Sequence, residues 1–288
     1  MKNLRSVFLL VLTVFIFWFL KFYIGFPAAD VSFVGVVLTI ASILFGFLAS
    51  FFISELWTRY TEIRTLQSIR STEGLNMIQY ASNFFKNKEF EIEFRKLVEK
   101  TAIVDETVEW DEVQLEIPFH REIEKSFRLV QIENRKQEVY FEKLLDSYNA
   151  FVEAIVRLDT LGKEKLFTSE WITLILLSSM IALSILFLDI THVFYQIIVL
   201  AFPAVLFLAI NLIYNLNTLS WSKEAISLEP NARLFDALDV SRFYLKKKRK
   251  FISPSIKNYR TEDDLTGELK EIYSSIQAQR KTISSGRS

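Results

Sequence analysis

The chain has 288 residues, 34 basic and 34 acidic side chains, and no cysteine. Without cysteine there is no disulfide-stapled secreted domain, no Cys-ligated metal and no thiol nucleophile. The 51% apolar content and mean hydropathy of +0.24 come from two blocks, residues 7–54 and 171–214, too long for core strands or core helices, which excludes a simple soluble globule.

The first span opens behind Lys2 and Arg5 and runs from Val7 to Phe26, interrupted only by Lys21. A secretory signal peptide has the same basic start. Its apolar stretch is shorter, however, and here a second span follows Ala28 and Ala29 at once. Lys21 lies near the far end, where its stem can snorkel to the interface. Pro27 to Asp30 is a tight connection, and Val31 to Ile53 returns without a charge. A helix of about 20 residues crosses roughly 30 Å of hydrocarbon, so both stretches suffice.

Residues 55–170 carry a helical period throughout. Leu56, Tyr60, Ile63 and Arg70 continue the second span, and Glu55, Arg59 and Glu62 are spaced to pair along it. Phe84 to Val108 forms a second helical stretch, with Phe90, Phe94, Leu97 and Val98 on one face. Glu109 to Glu112 and Pro118 bracket a break. From Phe119 the residues Ile123, Phe127, Val130, Asn134, Gln137, Phe141, Leu144, Tyr148, Phe151, Ile155 and Leu158 alternate at spacings of three and four. That predicts one long helix packing along a seam. Its polar pair, Asn134 and Gln137, reads either as a half-exposed stretch or as a register-setting layer. This helix leads through Arg157 to Lys165 into the third span, Trp171 to Leu188. Asp189 to His192 closes the turn, and Val193 to Tyr214 is the fourth span.

The tail starts amphipathically at Trp221, breaks at Glu229 to Asn231 and resumes from Leu234 to Phe243. Lys246, Lys247, Lys248, Arg249 and Lys250 form a basic cluster. By composition alone it could meet nucleic acid; beside a bilayer, anionic lipid attracts each such residue by about 1 kcal/mol, so a membrane-surface patch is expected and nucleic acid is not. The end, Arg280 to Ser288, has no apolar period and is expected to be frayed.

Lys2, Arg5, Arg59, Arg64, Arg70, Arg157, Lys163, Lys165 and Lys223 gather on one side of the four spans. Trp57, Trp171 and Trp221 fall at the boundaries on that side, Tyr23 and Tyr195 at the other. Both termini are therefore expected in the cytoplasm. The predicted fold is all-α: a four-span polytopic membrane protein built as two hairpins with a helical cytoplasmic region. Its parts are 1–54, the first hairpin; 55–170, the cytoplasmic helices; 171–214, the second hairpin; and 215–288, the tail.

Catalytic chemistry is thin. His120 and His192 are the only histidines, and this topology separates them by the membrane. No Gly-rich phosphate loop, HExxH or GxSxG pattern occurs. Glu106, Glu109, Asp111 and Glu112 cluster beside Trp110 without regular ligand spacing, so neither a cofactor nor a resident metal is expected. A lipid-active enzyme would need a groove at Glu55, Arg59 and His120, and no nucleophile–base pair is readable there.

The second span says more. Ser42, Gly46, Ser50 and Ser54 recur every fourth residue. Small residues at that spacing allow close helix packing. They also suit the axis of an oligomeric pore, where hydroxyls meet a partly dehydrated ion and phenylalanines such as Phe45 and Phe52 form a constriction that gates by dewetting. On the fourth span Pro203 predicts a kink, and Asn211 an interhelical hydrogen bond.

Two sequences carry a resemblance. Phe45-Gly-Phe-Leu-Ala-Ser50 is followed by Glu55-Leu-Trp-Thr-Arg-Tyr-Thr-Glu-Ile-Arg64; Tyr148 to Arg157 is followed by Trp171-Ile-Thr-Leu-Ile-Leu-Leu. Over about residues 30–220 the chain resembles the bestrophin-like membrane proteins, and within them a prokaryotic branch. Trp57, Arg59 and Arg64 match the family's aromatic–x–Arg–x–x–x–x–Arg junction. The resemblance implies a pentameric channel for small inorganic ions, with Ser42, Gly46 and Ser50 facing the axis and Glu55 and Arg59 at the inner mouth. It also implies a multi-pass protein of a cell membrane, by this branch a prokaryotic inner membrane. The family's proline-containing neck has no counterpart between Val31 and Ser54, nor its acidic calcium clasp between Trp221 and Asp239. The alternative is a non-conducting scaffold or sensor whose helices from Phe119 to Leu166 bind a cytoplasmic partner.

Overall fold

The computed structural model describes residues 2–24, 31–107, 120–188, 193–219, 229–244 and 259–265, with single positions beyond them. Among these the chain is helical apart from one pair of two-residue strands. The helices are α1 (Lys2–Phe19), continued by a π-helical turn (Leu20–Ile24), α2 (Val31–Ala81), α3 (Lys88–Thr107), α4 (His120–Ser126), α5 (Arg135–Lys163), α6 (Thr168–Phe187), α7 (Val193–Asn217) and α8 (Glu229–Ala237). The strands β1 (Arg242–Phe243) and β2 (Tyr259–Arg260) pair in parallel.

Two compact units result. The first comprises Met1–Tyr60 and Lys165–Ser220, the second Thr61–Glu164 and Trp221–Ser288. α2 is one unbroken helix of 51 residues that belongs to the first unit up to Tyr60 and to the second beyond it. By length and composition α2 and α6 can each cross a membrane; the apolar stretches Phe8–Ile24 and Ala201–Asn217 are shorter.

In the first unit α1, α2, α6 and α7 share one apolar core, to which they contribute Phe17, Phe45, Leu174 and Ile213 among others. The outward faces are just as apolar. Phe33, Phe47, Phe51, Leu176 and Val205 are all exposed. Contiguous apolar surface on this scale is foreign to a water-soluble protein and is what lipid solvates.

The second unit is ordinary in water: charged outside, aromatic inside. Phe84, Phe90, Phe94, Phe127 and Tyr148 interlock, with Phe127 and Tyr148 edge to face at 5.3 Å between centroids. Burial pushes the Tyr148 hydroxyl up to about 12, helped by the charge of Glu124. Asn87 caps α3, its Oδ1 accepting from the Glu89 and Phe90 amides, while its Nδ2 donates to the Leu129 carbonyl.

The long helix expected from Phe119 to Leu166 is two helices. α4 ends in a 3-10 turn at Phe127–Leu129, residues 130–133 are non-helical, and α5 starts afresh. Asn134 and Gln137 are therefore not a polar layer in a seam but part of the cap of α5, with Asn134 at the N-cap. Asn134 Oδ1 accepts from the Gln137 amide at 3.0 Å, and Gln137 Oε1 accepts from the Glu133 amide at 2.7 Å.

The break expected at Glu229 to Asn231 is instead the start of α8, with Pro230 in the first turn, where a missing N–H is harmless. α8 closes on Asp239 at φ 57°, and the Val240 amide reaches back to the Phe235 carbonyl, a Schellman motif. Arg95 donates to the Leu238 carbonyl at 3.1 Å, and Arg242 grips Asp236 with two bonds of 2.8 and 2.6 Å. That grip holds the Asp236 carboxyl below its usual range. Arg260 pairs with Glu99 at 2.7 Å. α8 can lie against α2 because position 74 is glycine: a Cβ there would stand 2.7 Å from Leu234 Cδ2.

Candidate functional site

α2 presents three faces along residues 31–59. Val34, Ala41, Phe45, Ala49, Phe52 and Leu56 turn into the core of the first unit. Phe33, Ile40, Phe47 and Phe51 lie opposite, with Phe47 73% and Phe51 61% exposed. Between them runs an edge of small residues: Gly35, Ser42, Gly46 and Ser50, with Ser54 beyond. Ser42 is half-buried; Gly46, Ser50 and Ser54 are exposed. A Cβ built at Gly35 or Gly46 would meet nothing within 4 Å. Among the described residues no helix packs on that edge at those two levels.

The hydroxyls of the helix divide in two. Thr39 donates to the Gly35 carbonyl at 2.8 Å and Thr58 to the Ser54 carbonyl at 2.9 Å, so their polarity is spent on their own backbone. Among the described residues the hydroxyls of Ser42, Ser50 and Ser54 make no hydrogen bond. Three unpartnered hydroxyls on one exposed edge of an apolar helix can meet an ion, water or a neighbouring chain.

The phenylalanines sort differently from what apolar character alone suggests. Phe45 and Phe52 are only 7% and 4% exposed and pack with α6 and α7 inside the unit. At the end of this stretch Glu55 is exposed, and among the described residues it forms no ion pair. Glu62, expected beside Arg59, pairs with Arg157 at 2.5 Å in the second unit. Arg59 is 7% exposed and turned inward; its Nη1 donates to the Asn217 carbonyl at 3.4 Å. Asn217 Oδ1 accepts from the Leu166 amide at 2.9 Å. Asn211 is half-buried and, among the described residues, forms no side-chain hydrogen bond.

At the other end of α6, Lys21 Nζ donates to the carbonyl of Leu186 at 2.7 Å and to that of Leu188. The expected snorkelling lysine thus caps a helix. The last carbonyls of α6 lack partners within the helix, and a cation at that end also meets the negative pole of its dipole. The sequence does hint at this. A single basic residue in an apolar span needs an acceptor, and a neighbouring helix terminus is the nearest supply.

Among the described residues no group of three or more His, Asp or Glu side chains could hold a metal ion. His192, the acidic residues Glu109, Asp111 and Glu112, and the basic cluster Lys246, Lys247, Lys248, Arg249 and Lys250 lie outside the described residues, as do the side chains of Glu106 and His120.

A family model for the bestrophin-like domain matches residues 7–219. No curated protein and no solved structure matches the chain.

Proposed function

Because the chain belongs to the bestrophin-like family, whose members are membrane channels and not enzymes, we propose that it assembles as a homo-oligomer around an ion path lined by α2. The observation that carries this reading is the open edge of α2. Among the described residues Ser42, Ser50 and Ser54 offer hydroxyls with no partner, and Gly46 leaves the backbone accessible between them. An ion crossing a low-dielectric barrier needs replacement for part of its hydration, and oxygen ligands at that spacing supply it. The edge is neutral and does not choose between anion and cation.

In this reading α1, α2, α6 and α7 are four spans in two hairpins, with both termini on the cytoplasmic side of a prokaryotic inner membrane. The basic residues concentrated near one set of span ends support that orientation. Lys21 meeting the end of α6, and Arg59 meeting the end of α7, are pairings that two antiparallel hairpins produce. Phe45 and Phe52 back α2 from within each subunit. Phe47 and Phe51 face neighbours or lipid. Glu55 is the charge left at the inner mouth. The family implies five copies.

Flux of anions and of cations through liposomes containing the purified protein tests the proposal. Ser50→Phe should lower the flux or change its selectivity while assembly persists. Wild-type vesicles impermeable to every ion tried would refute it and favour the scaffold reading.

A further inference from the structure

The end of the first unit at Asn217 is fastened in a way that a merely packed bundle does not require. α7 stops there, and the chain leaves through Leu219 at φ 50°. That left-handed conformation is costly for a residue with a Cβ and persists only where the surroundings fix it. The Asn217 carbonyl, one of those a helix end leaves without a helical partner, accepts from Arg59 of α2. The guanidinium sits at the negative pole of the α7 dipole, withdrawn from water. The Asn217 side chain turns to a third element. Its acceptor must be oxygen, because the Leu166 N–H that it meets is a donor. Leu166 lies in the non-helical link between α5 and α6, where the backbone has no helical ladder, and its side chain packs against the core of the unit. One residue, itself 7% exposed, therefore ties α2, α7 and the entry to α6.

We infer that Asn217 is a positioning residue for the ion path: its side chain, held by the Leu166 amide, sets the backbone carbonyl on which the Arg59 guanidinium rests, and so fixes the end of α2 that carries Ser54 and Glu55 against sliding along its own axis. The inference rests on the reading of α2 as the path-lining helix. Apolar contacts such as those of Phe52 and Leu56 resist separation but have no direction, so they permit a helix to slip. Hydrogen bonds to defined atoms do not. A slip at this end would shift Ser50 and Ser54 along the path and out of level with the same residues of neighbouring copies.

The absence of cysteine makes the test clean. Spin labels placed through Thr58→Cys on α2 and Tyr214→Cys on α7, in vesicles of the full chain, should give a narrow distance distribution. Asn217→Leu, alike in branching but without a side-chain acceptor, keeps the carbonyl that Arg59 meets and frees the end of α7 that carries it, so it should broaden or displace the distribution and shift the anion-to-cation permeability ratio. Asn217→Asp, which keeps an oxygen for the Leu166 amide, should restore both. An unchanged distribution in Asn217→Leu overturns the inference. If that variant fails to assemble, Arg59→Gln is read in the same way: broadening supports the latch and an unchanged distribution overturns it. Vesicles of the parent that pass no ion, while Asn217→Leu still broadens the distribution, would overturn the path and uphold the latch. Conduction with an unmoved distribution would do the reverse.

Discussion

Gly74→Ala sets two effects of known size against each other. Gly74 lies deep inside α2, where alanine is intrinsically better by about 1 kcal/mol. The new Cβ would stand 2.7 Å from Leu234 Cδ2 and 3.5 Å from both Leu234 Cδ1 and Phe151 Cε2. Leu234 and Phe151 are themselves buried, so neither can swing into solvent, and forcing a methyl into such a site costs about 1–3 kcal/mol. The expected net effect is a loss of roughly 0–2 kcal/mol, read as a lower apparent unfolding midpoint of the purified protein. The same substitution made on Leu234→Ala should change sign. Leu234→Ala alone costs about 2–5 kcal/mol by leaving a cavity. With the clashing methyls gone, Gly74→Ala keeps its helical gain of about 1 kcal/mol and fills part of that space. The cycle should then show a coupling of about 1–3 kcal/mol. A Gly74→Ala variant that is more stable than its parent by the same amount in both backgrounds would refute the close approach of α8 to α2.

Asn134→Ala removes the cap of α5 and should cost about 1 kcal/mol, with earlier amide exchange confined to the first turn of α5; equal exchange along the whole helix would count against the cap. The Tyr148 hydroxyl gives a pH signature. Its folded value of about 12 lies above the ordinary value near 10, so the folded state holds the proton more tightly. That contribution is complete below pH ~10 and is lost as pH rises towards 12, by up to about 3 kcal/mol. Stability measured against pH should fall more steeply over that interval in wild type than in Tyr148→Phe, and parallel curves would show that the buried hydroxyl titrates as if exposed.

What the sequence makes readable depends on whether the two sides of an element face different solvents. In the second unit they do, and Phe90, Phe94, Leu97 and Val98 announce the buried face of α3 by period alone. The same signal misleads between Ile123 and Leu158. Ile123, Phe127, Leu144 and Tyr148 all enter one aromatic core from either side of the break, so spacings of three and four run on across a segment that is not helical. The competing signal was local. Asn134 followed three residues later by Gln137 is a capping pair, and it outranks the period because the orphan amides of a helix start must be satisfied.

In the first unit the period is silent. α2 is apolar on the face that packs inward and equally apolar on the face that meets lipid, so Phe45 and Phe52 cannot be told from Phe47 and Phe51 by composition. What remains legible there is the small and the polar. The spacing of Ser42, Gly46, Ser50 and Ser54 marks the open edge because those residues contrast with everything around them. Polar residues at helix ends carry a different message. Lys21, Arg59 and Asn217 all meet backbone groups that terminating helices and the link into α6 leave without helical partners, and two of the three looked from sequence like surface or mouth charges. A cation placed on an exposed carbonyl at a helix end satisfies a group that hydrocarbon cannot, so in a bundle of this kind the charges flanking the apolar stretches are first candidates for holding helix ends before any other role is assigned to them.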